Sequence, residues 1–201
     1  MNQQRAEILS RRSLRAYANN QLSTAIAWAQ QACAEAPDWG PAWWALALSQ
    51  ERSDNDEDAA RSFAHAANAV HEPCDLPIRI AWQDFCDCIT AAQNDLPPAL
   101  LAASRACHLI LDDYTPAAFL NATEDEDSYE LLGLFSGHPL PDHSYEGHGD
   151  TAATIYMWRR PHEHCCEDYQ QCLAEIRNTY YHELGHYFGY DEDGIAAMGL
   201  S

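Results

Sequence analysis

The stretch NTYYHELGHYFGYDEDG, Asn178 to Gly194, decides how the rest of the chain is read. His182 and His186 stand four residues apart, so on a helix their imidazoles stack on one face, close enough to share an ion. Glu183 follows the first histidine by one residue, which sets its carboxylate beside such an ion rather than on it. Working backwards, CEDYQQCLAEIRNTYYHELGHYFG predicts one long helix from about Asp168 to Phe188, stopped by Gly189. Leu173, Ile176, Tyr180 and Leu184 recur at spacings of three and four, roughly across the helix axis from the two histidines. Packing and ligation therefore use different faces of the same helix. Gly185 lies inside the motif, where it costs roughly 1 kcal/mol of helix propensity, and close approach by a neighbouring strand is the expected reason for it.

Zinc takes imidazole nitrogens at about 2.0–2.1 Å in a tetrahedral arrangement, so two histidines leave a third protein ligand to be found. Only fifteen residues follow His186 (201 − 186), and a ligand on a distant second helix is not expected. Gly189 permits a positive φ and a sharp turn, which brings the following acids back under the ion. Counting three residues on from Gly189 gives Glu192, with Asp193 second and Asp191 third in order of preference. The two acids left over would orient the histidines or face water. Glu183 is placed to take a proton from water activated at the ion. The blander alternative is two surface histidines on an acidic helix; the glycine and the oxygen ligands just beyond the motif favour the metal.

Three segments in order, SYELLGLFSGHPL (128–140), TIYMWRRPHE (154–163) and HELGHYFGYDEDG (182–194), resemble the minimal zincin-like metallopeptidase family. The resemblance covers roughly residues 115 to 194. It implies a compact zincin core of a few strands against the active-site helix, with zinc held by His182, His186 and an acidic third residue, and with Glu183 as general base. The family pattern most often has aspartate where this chain has Glu192.

The first hundred residues have a different texture. LSTAIAWAQQACAEAPDW and DAARSFAHAANAVHEPCD each put small residues at helical spacing before a proline, and Pro37 and Pro73 are 36 apart (73 − 37). The helix before each proline carries one aromatic, Trp28 or Phe63, and tryptophan recurs early in the helix that follows. This resembles tetratricopeptide repeats over roughly residues 6 to 108, with Ala25, Ala29 and Ala32, then Ala59, Ala64 and Ala67, where helices approach closely. A third pair is expected at 78–94 and 97–108, opened in its second helix by Pro97 and Pro98. A plain helical scaffold and a peptide-binding groove fit these repeats equally. From Leu109 the pattern changes to a strand over Ala117 to Thr123, an acidic run Thr123 to Glu130, a glycine loop, and a strand over Ala153 to Trp158. The acidic run lacks the ligand spacing of a calcium loop and reads as solvated.

The expected fold class is α+β, predominantly α, with a helical-repeat domain over 1–108 and a small zincin-like domain over 109–201. A formal net charge of −20 argues against nucleic-acid and anionic-membrane partners. The opening twenty residues contain no apolar run of signal-peptide length, so a cytoplasmic location is expected, with the eight cysteines as thiols. None of them forms a C-x-x-C. RRPHEHCC offers a second metal site from His162, His164, Cys165 and Cys166, though adjacent cysteines hold one ion poorly. His162, His164, Tyr156, Tyr181 and Tyr190 are unranked candidates for stabilising a transition state. The function expected is a zinc-dependent peptidase acting on a peptide or protein substrate, with Zn2+ as cofactor and the helical repeats presenting substrate or a protein partner. The alternative is a protein-interaction module whose zincin domain is catalytically weak or uses its zinc structurally.

Overall fold

The computed structural model of the chain describes residues 2–120, 129–140 and 152–197. Four helices come first: α1 (Gln3–Ala18), α2 (Leu22–Glu35), α3 (Gly40–Glu51) and α4 (Asp56–Ala67). Then follow α5 (Trp82–Asn94), α6 (Pro98–Ser104), β1 (His108–Asp112), α7 (Ala117–Leu120), β2 (Gly133–Ser136) and β3 (Thr154–Trp158). The chain ends with α8 (Arg159–Cys165), α9 (Tyr169–Tyr187) and α10 (Glu192–Ala197). The predominantly helical α+β class is as expected. The residues gather into two compact units, Met1–Pro77 with Tyr114–Glu130, and Ile78–Asp113 with Leu131–Ser201.

In the first unit α1 packs on α2, α2 on α3 and α3 on α4, giving two helical hairpins. Ala25, Ala29 and Ala32 are fully buried, which lets α2 lie close to its neighbours. On α4 the buried stripe is Ala59, Ser62, Phe63 and Ala66, while Ala64 is exposed and Ala67 half-buried. The large ring of Phe63 sets which face turns inward, and the small residues beside it follow. Trp44 meets Phe63 edge to face at 5.0 Å, and Trp43 stacks on His65 at 4.3 Å. Tyr17 is buried and donates to Glu130 at 2.7 Å, with the Arg52 guanidinium over its ring.

The second unit is built on a three-stranded sheet of order β1-β3-β2. β1 runs parallel to β3, and β2 pairs antiparallel on the other side, with Leu134 opposite Tyr156 and Phe135 opposite Ile155. Ile155 and Met157 alternate onto one face and join Ile176, Tyr180 and Leu184 of α9 in the core. The predicted core face of α9 is therefore found, except that Cys172 is fully buried where Leu173 is only half-buried. Asp168 caps α9 by accepting the Gln171 N–H at 2.9 Å, and Gly189, at φ 90°, turns the chain away at the other end.

Three expectations meet a different structure. The helix pair expected at 78–94 and 97–108 forms as the shorter α5 and α6, and both belong to the second unit, which crosses the expected boundary at 108/109. The physical reason is apolar: Phe85, Ile89 and Ala92 are buried in the same core as α9, and Tyr181 donates to the Ala92 carbonyl at 3.0 Å. His108, expected as the last residue of that helix, instead opens the strand His108–Asp112, because it pairs with β3. Ala117–Leu120, expected as strand, is a single helical turn; Asn121 to Thr123, most of the acidic run and the glycine loop lie outside the described residues.

Beneath the sheet end, Glu163 is fully buried and receives hydrogen bonds from Arg79 (2.8 Å), Arg160 (2.7 Å) and the Ile80 N–H (3.0 Å). A buried carboxylate is tolerated only with such partners. The residue before it, His162, is also fully buried, 2.6 Å from the Trp158 carbonyl through Nδ1 and 3.1 Å from the Thr179 hydroxyl through Nε2. The carbonyl only accepts, so Nδ1 carries the proton and Nε2 accepts from Thr179.

Burial lowers the His162 pKa from its ordinary 6.5 to about 4, against the opposing pull of the Trp158 carbonyl. Above pH 6.5 the ring is neutral in folded and unfolded chains alike, and it contributes nothing to pH dependence. Between pH 6.5 and about 4 the unfolded chain binds a proton that the folded one refuses, so stability falls as pH falls, by about 1.4 kcal/mol per pH unit at most. Urea unfolding midpoints measured from pH 7 to 4.5 are expected to drop more steeply for the wild type than for His162→Gln; equal slopes would assign the acid sensitivity to another group.

Candidate metal centre

The face of α9 opposite its core carries His182 and His186, with ring centroids 4.8 Å apart and their Nε2 atoms 3.1 Å apart. The Tyr190 carbonyl lies 3.2 Å from His186 Nδ1 and accepts its N–H, which leaves Nε2 as a lone-pair donor. That carbonyl is in position because Gly189 reverses the chain directly after the helix, with the Tyr190 N–H donating back to Gly185 at 3.1 Å.

The reversed chain starts α10 at Glu192. Its Oε1 lies 3.3 Å from His186 Nε2 and its Oε2 3.6 Å from His182 Nε2. Among the described residues, His182, His186 and Glu192 form the one group of three metal-ligating side chains within reach of a shared ion. Donors on a tetrahedral ion at 2.0–2.1 Å are separated by about 3.3–3.4 Å, and the observed 3.1, 3.3 and 3.6 Å bracket that spacing. Two imidazoles and one carboxylate, with an open side, fit zinc.

The other two acids do different things. Asp191 Oδ1 accepts the Gly194 N–H at 2.9 Å and caps the first turn of α10. Asp193 is exposed and outside the three-residue group. Ile195 is fully buried against Gly185, where a Cβ would come within 3.0 Å of Ile195 Cγ1 and 3.2 Å of Cδ1. The close neighbour expected for Gly185 is thus α10, not a strand.

Glu183 is buried, and its Oε2 accepts the Phe135 N–H of β2 at 2.6 Å. Burial raises the carboxyl above its ordinary range, opposed by the two histidines and the Phe135 N–H. β2 comes this close because Gly133 has no side chain: a Cβ there would lie 2.7 Å from Thr179 Cγ2 and 3.0 Å from Glu183 Cγ. His182, Glu183, His186 and Glu192 line a cavity of about 570 Å³, walled by Leu134 and Phe135 of β2 on one side and by Tyr190 and Asp191 on the other.

Of the remaining candidates, Tyr190 lines this cavity, whereas Tyr181 is tied to α5 and Tyr156 stacks on Trp158 within the sheet. His162 is sealed behind α9 and not in the cleft. Cys165 and Cys166 lie 3.7 Å apart but join no cluster of three ligands among the described residues. Reading the sequence missed the Phe135 N–H, a backbone group with no residue signature. Its one trace is Gly133 between apolar residues, the mark of a strand that must lie close to something.

The geometry agrees with the comparison of sequences. Residues 104–200 match the zincin-like metallopeptidase family. None of the curated proteins matches the chain. The zincin-like region takes in β1, β2, β3 and α8 to α10 and leaves α5 outside, although α5 supplies Phe85 and Ile89 to the core behind α9.

Gly185→Ala tests the seating of α10. The alanine favours the helix, yet its methyl displaces Ile195 and with it Glu192. Zinc affinity, measured by competition with a chelator, is expected to fall at least tenfold while helix content is kept, as when groups supporting a ligand are disturbed. Unchanged affinity would mean that this contact does not hold Glu192.

Proposed function

We propose that the zincin-like region is a zinc-dependent peptidase, with zinc held by His182, His186 and Glu192 and with Glu183 as the general base. The observation that carries this reading is the convergence of three donor atoms, each within 4.8 Å of the others, in an open cavity beside a buried carboxylate. When bound, the zinc supplies a Lewis acid that polarises a carbonyl and brings the pKa of water toward neutrality.

The chain's own groups do the rest. His186 is fixed in tautomer and angle by the Tyr190 carbonyl. Glu183 is fixed through Oε2 by the Phe135 N–H, and among the described residues Oε1 has no hydrogen-bond partner. Oε1 takes the proton of the attacking water and passes it to the departing amine. The raised pKa of this carboxyl suits a group that must both take and give a proton. β2 is the sheet's edge and runs along the cavity, so an extended peptide has a strand to lie beside. In this reading the helical hairpins of the first unit are tetratricopeptide-like repeats that present a substrate or a protein partner, and the protein works in the cytoplasm. Among the described residues no helix is long and apolar enough to cross a membrane.

Metal analysis and a peptide-cleavage assay test the proposal together. The wild type should carry one zinc, lost in His186→Ala and in Glu192→Ala. Glu183→Gln should keep the zinc and lose at least about a hundredfold in kcat, the usual contribution of a general base. Zinc retained by His186→Ala, or full hydrolysis by Glu183→Gln, would overturn it; a chelator that only unfolds the domain, with no hydrolysis in the wild type, would make the metal structural.

A further inference from the structure

A second cavity, of about 240 Å³, shares His182 and Glu183 with the first. Its far wall is α9 itself, where Glu175, Asn178 and His182 are spaced three and four residues apart and so lie along one face. Its near wall is the chain at Gly133. From Glu175 to His182 is two helical turns, about 10 Å at 1.5 Å per residue. The two cavities thus continue one another along α9, with His182 and Glu183 between them.

Every other acid at the centre has an assigned partner. Glu183 is bound by the Phe135 N–H, Asp191 caps α10, and Glu192 faces the two histidines. Glu175 is half-buried in the cavity wall, and among the described residues no cation or hydrogen-bond donor pairs with it. Asn178 beside it is exposed, and it makes no hydrogen bond to another described residue. An apolar side chain entering here would strip water from a carboxylate and give nothing back. An acidic side chain would be repelled. A guanidinium satisfies both wall groups at once, because it brings five N–H donors in a planar fork to a carboxylate and an amide oxygen. The chain's net charge of −20 also draws basic peptides toward it over a longer range.

We propose that Glu175, with Asn178, is the specificity-determining pair of this site, and that it selects peptides carrying an arginine within about three residues of the bond to be cut. The distance sets that limit: about 10 Å is three residues of extended chain at roughly 3.3 Å each, or fewer when the arginine side chain spans part of it. This rests on the peptidase reading, and it names the substrate class that reading leaves open.

The test uses the full chain loaded with zinc and a set of peptides identical except for Arg, Gln or Glu at each position from three before to three after the cleaved bond. Binding is measured on the Glu183→Gln background by fluorescence anisotropy, and hydrolysis on the wild type. The expected result is an Arg-over-Gln preference at one position, in binding and in kcat/KM. Glu175→Gln should cut that ratio about tenfold, the scale of a half-buried ion pair. Glu175→Arg should turn the preference toward the Glu peptide. Hydrolysis with no arginine preference, or a preference that Glu175→Gln leaves intact, overturns the assignment of Glu175 and spares the peptidase reading. An arginine preference in binding that Glu175→Gln removes, without hydrolysis by the wild type, upholds the pocket and sinks the peptidase reading. No binding of any peptide overturns the pocket.

Discussion

The candidate metal centre depends on how closely α9 is approached from two sides, and at each side a glycine makes the approach physically allowed. On one side Gly133 lets β2 come so near that the Phe135 N–H reaches the Glu183 carboxylate at 2.6 Å. On the other, Gly185 opens a seat for Ile195, and α10 delivers Glu192 to within 3.3 Å of His186. The two glycines act on opposite partners of one helix. Gly133 belongs to the approaching strand and accommodates the bulk of Thr179 and Glu183. Gly185 belongs to α9 and accommodates the bulk of Ile195. A methyl group at either place meets atoms at 3.0 Å or less. The cost of Gly185 to helix propensity, roughly 1 kcal/mol, is small against the fully buried Ile195 side chain it admits.

A helix used on two faces has to be held rigidly from behind. Ile176, Tyr180 and Leu184 supply apolar burial, but the polar groups around α8 define the position more narrowly. Glu163 needs Arg79, Arg160 and the Ile80 N–H together, since a buried carboxylate missing any of them is left under-compensated. His162 joins the Trp158 carbonyl at the end of β3 to Thr179 on α9. Thr179 in turn touches the space above Gly133. A continuous set of contacts therefore runs from the sheet end through a neutral histidine to the turn of α9 just before His182. Apolar packing alone would tolerate a slip along the helix; these directional bonds do not.

The spacing of the histidine pair and Glu183, the helix starting near Asp168, and the stop at Gly189 were legible because each rests on local spacing or local backbone chemistry. The core face was legible for the same reason, apart from the exchange of Leu173 for Cys172. What could not be read depends on partners distant in sequence. His108 reads as the last residue of a helix, and 109–112 carry no strand signal of their own, until β3, more than forty residues on, offers them hydrogen bonds. α5 follows the helical spacing of the helices before it, yet Phe85 and Ile89 join the core of α9, some ninety residues later. Ala117–Leu120 has strand-like composition and folds as one helical turn. On α4 the stripe was read through Ala64 and Ala67, because alanine gives no sign of direction; Phe63 does, and its burial turns Ser62 and Ala66 inward instead.

The run of acids after Tyr190 shows how identical charges are sorted by backbone. By composition Asp191, Glu192 and Asp193 are near equivalents. The turn at Gly189 makes Asp191 the residue preceding a helix, where a short side chain reaches the Gly194 N–H three residues on. That cap sets the first turn of α10, and Glu192 becomes the first residue inside it, facing the histidines. Aspartate is the better cap because its carboxylate is one bond nearer the backbone, and glutamate has the reach to meet two imidazoles from a helix start. Exchanging the two residue types would damage both roles. The longer side chain at position 192, where the family resemblance leads one to expect aspartate, is therefore matched to a carboxylate that must reach two imidazoles from the start of a capped helix seated by Ile195.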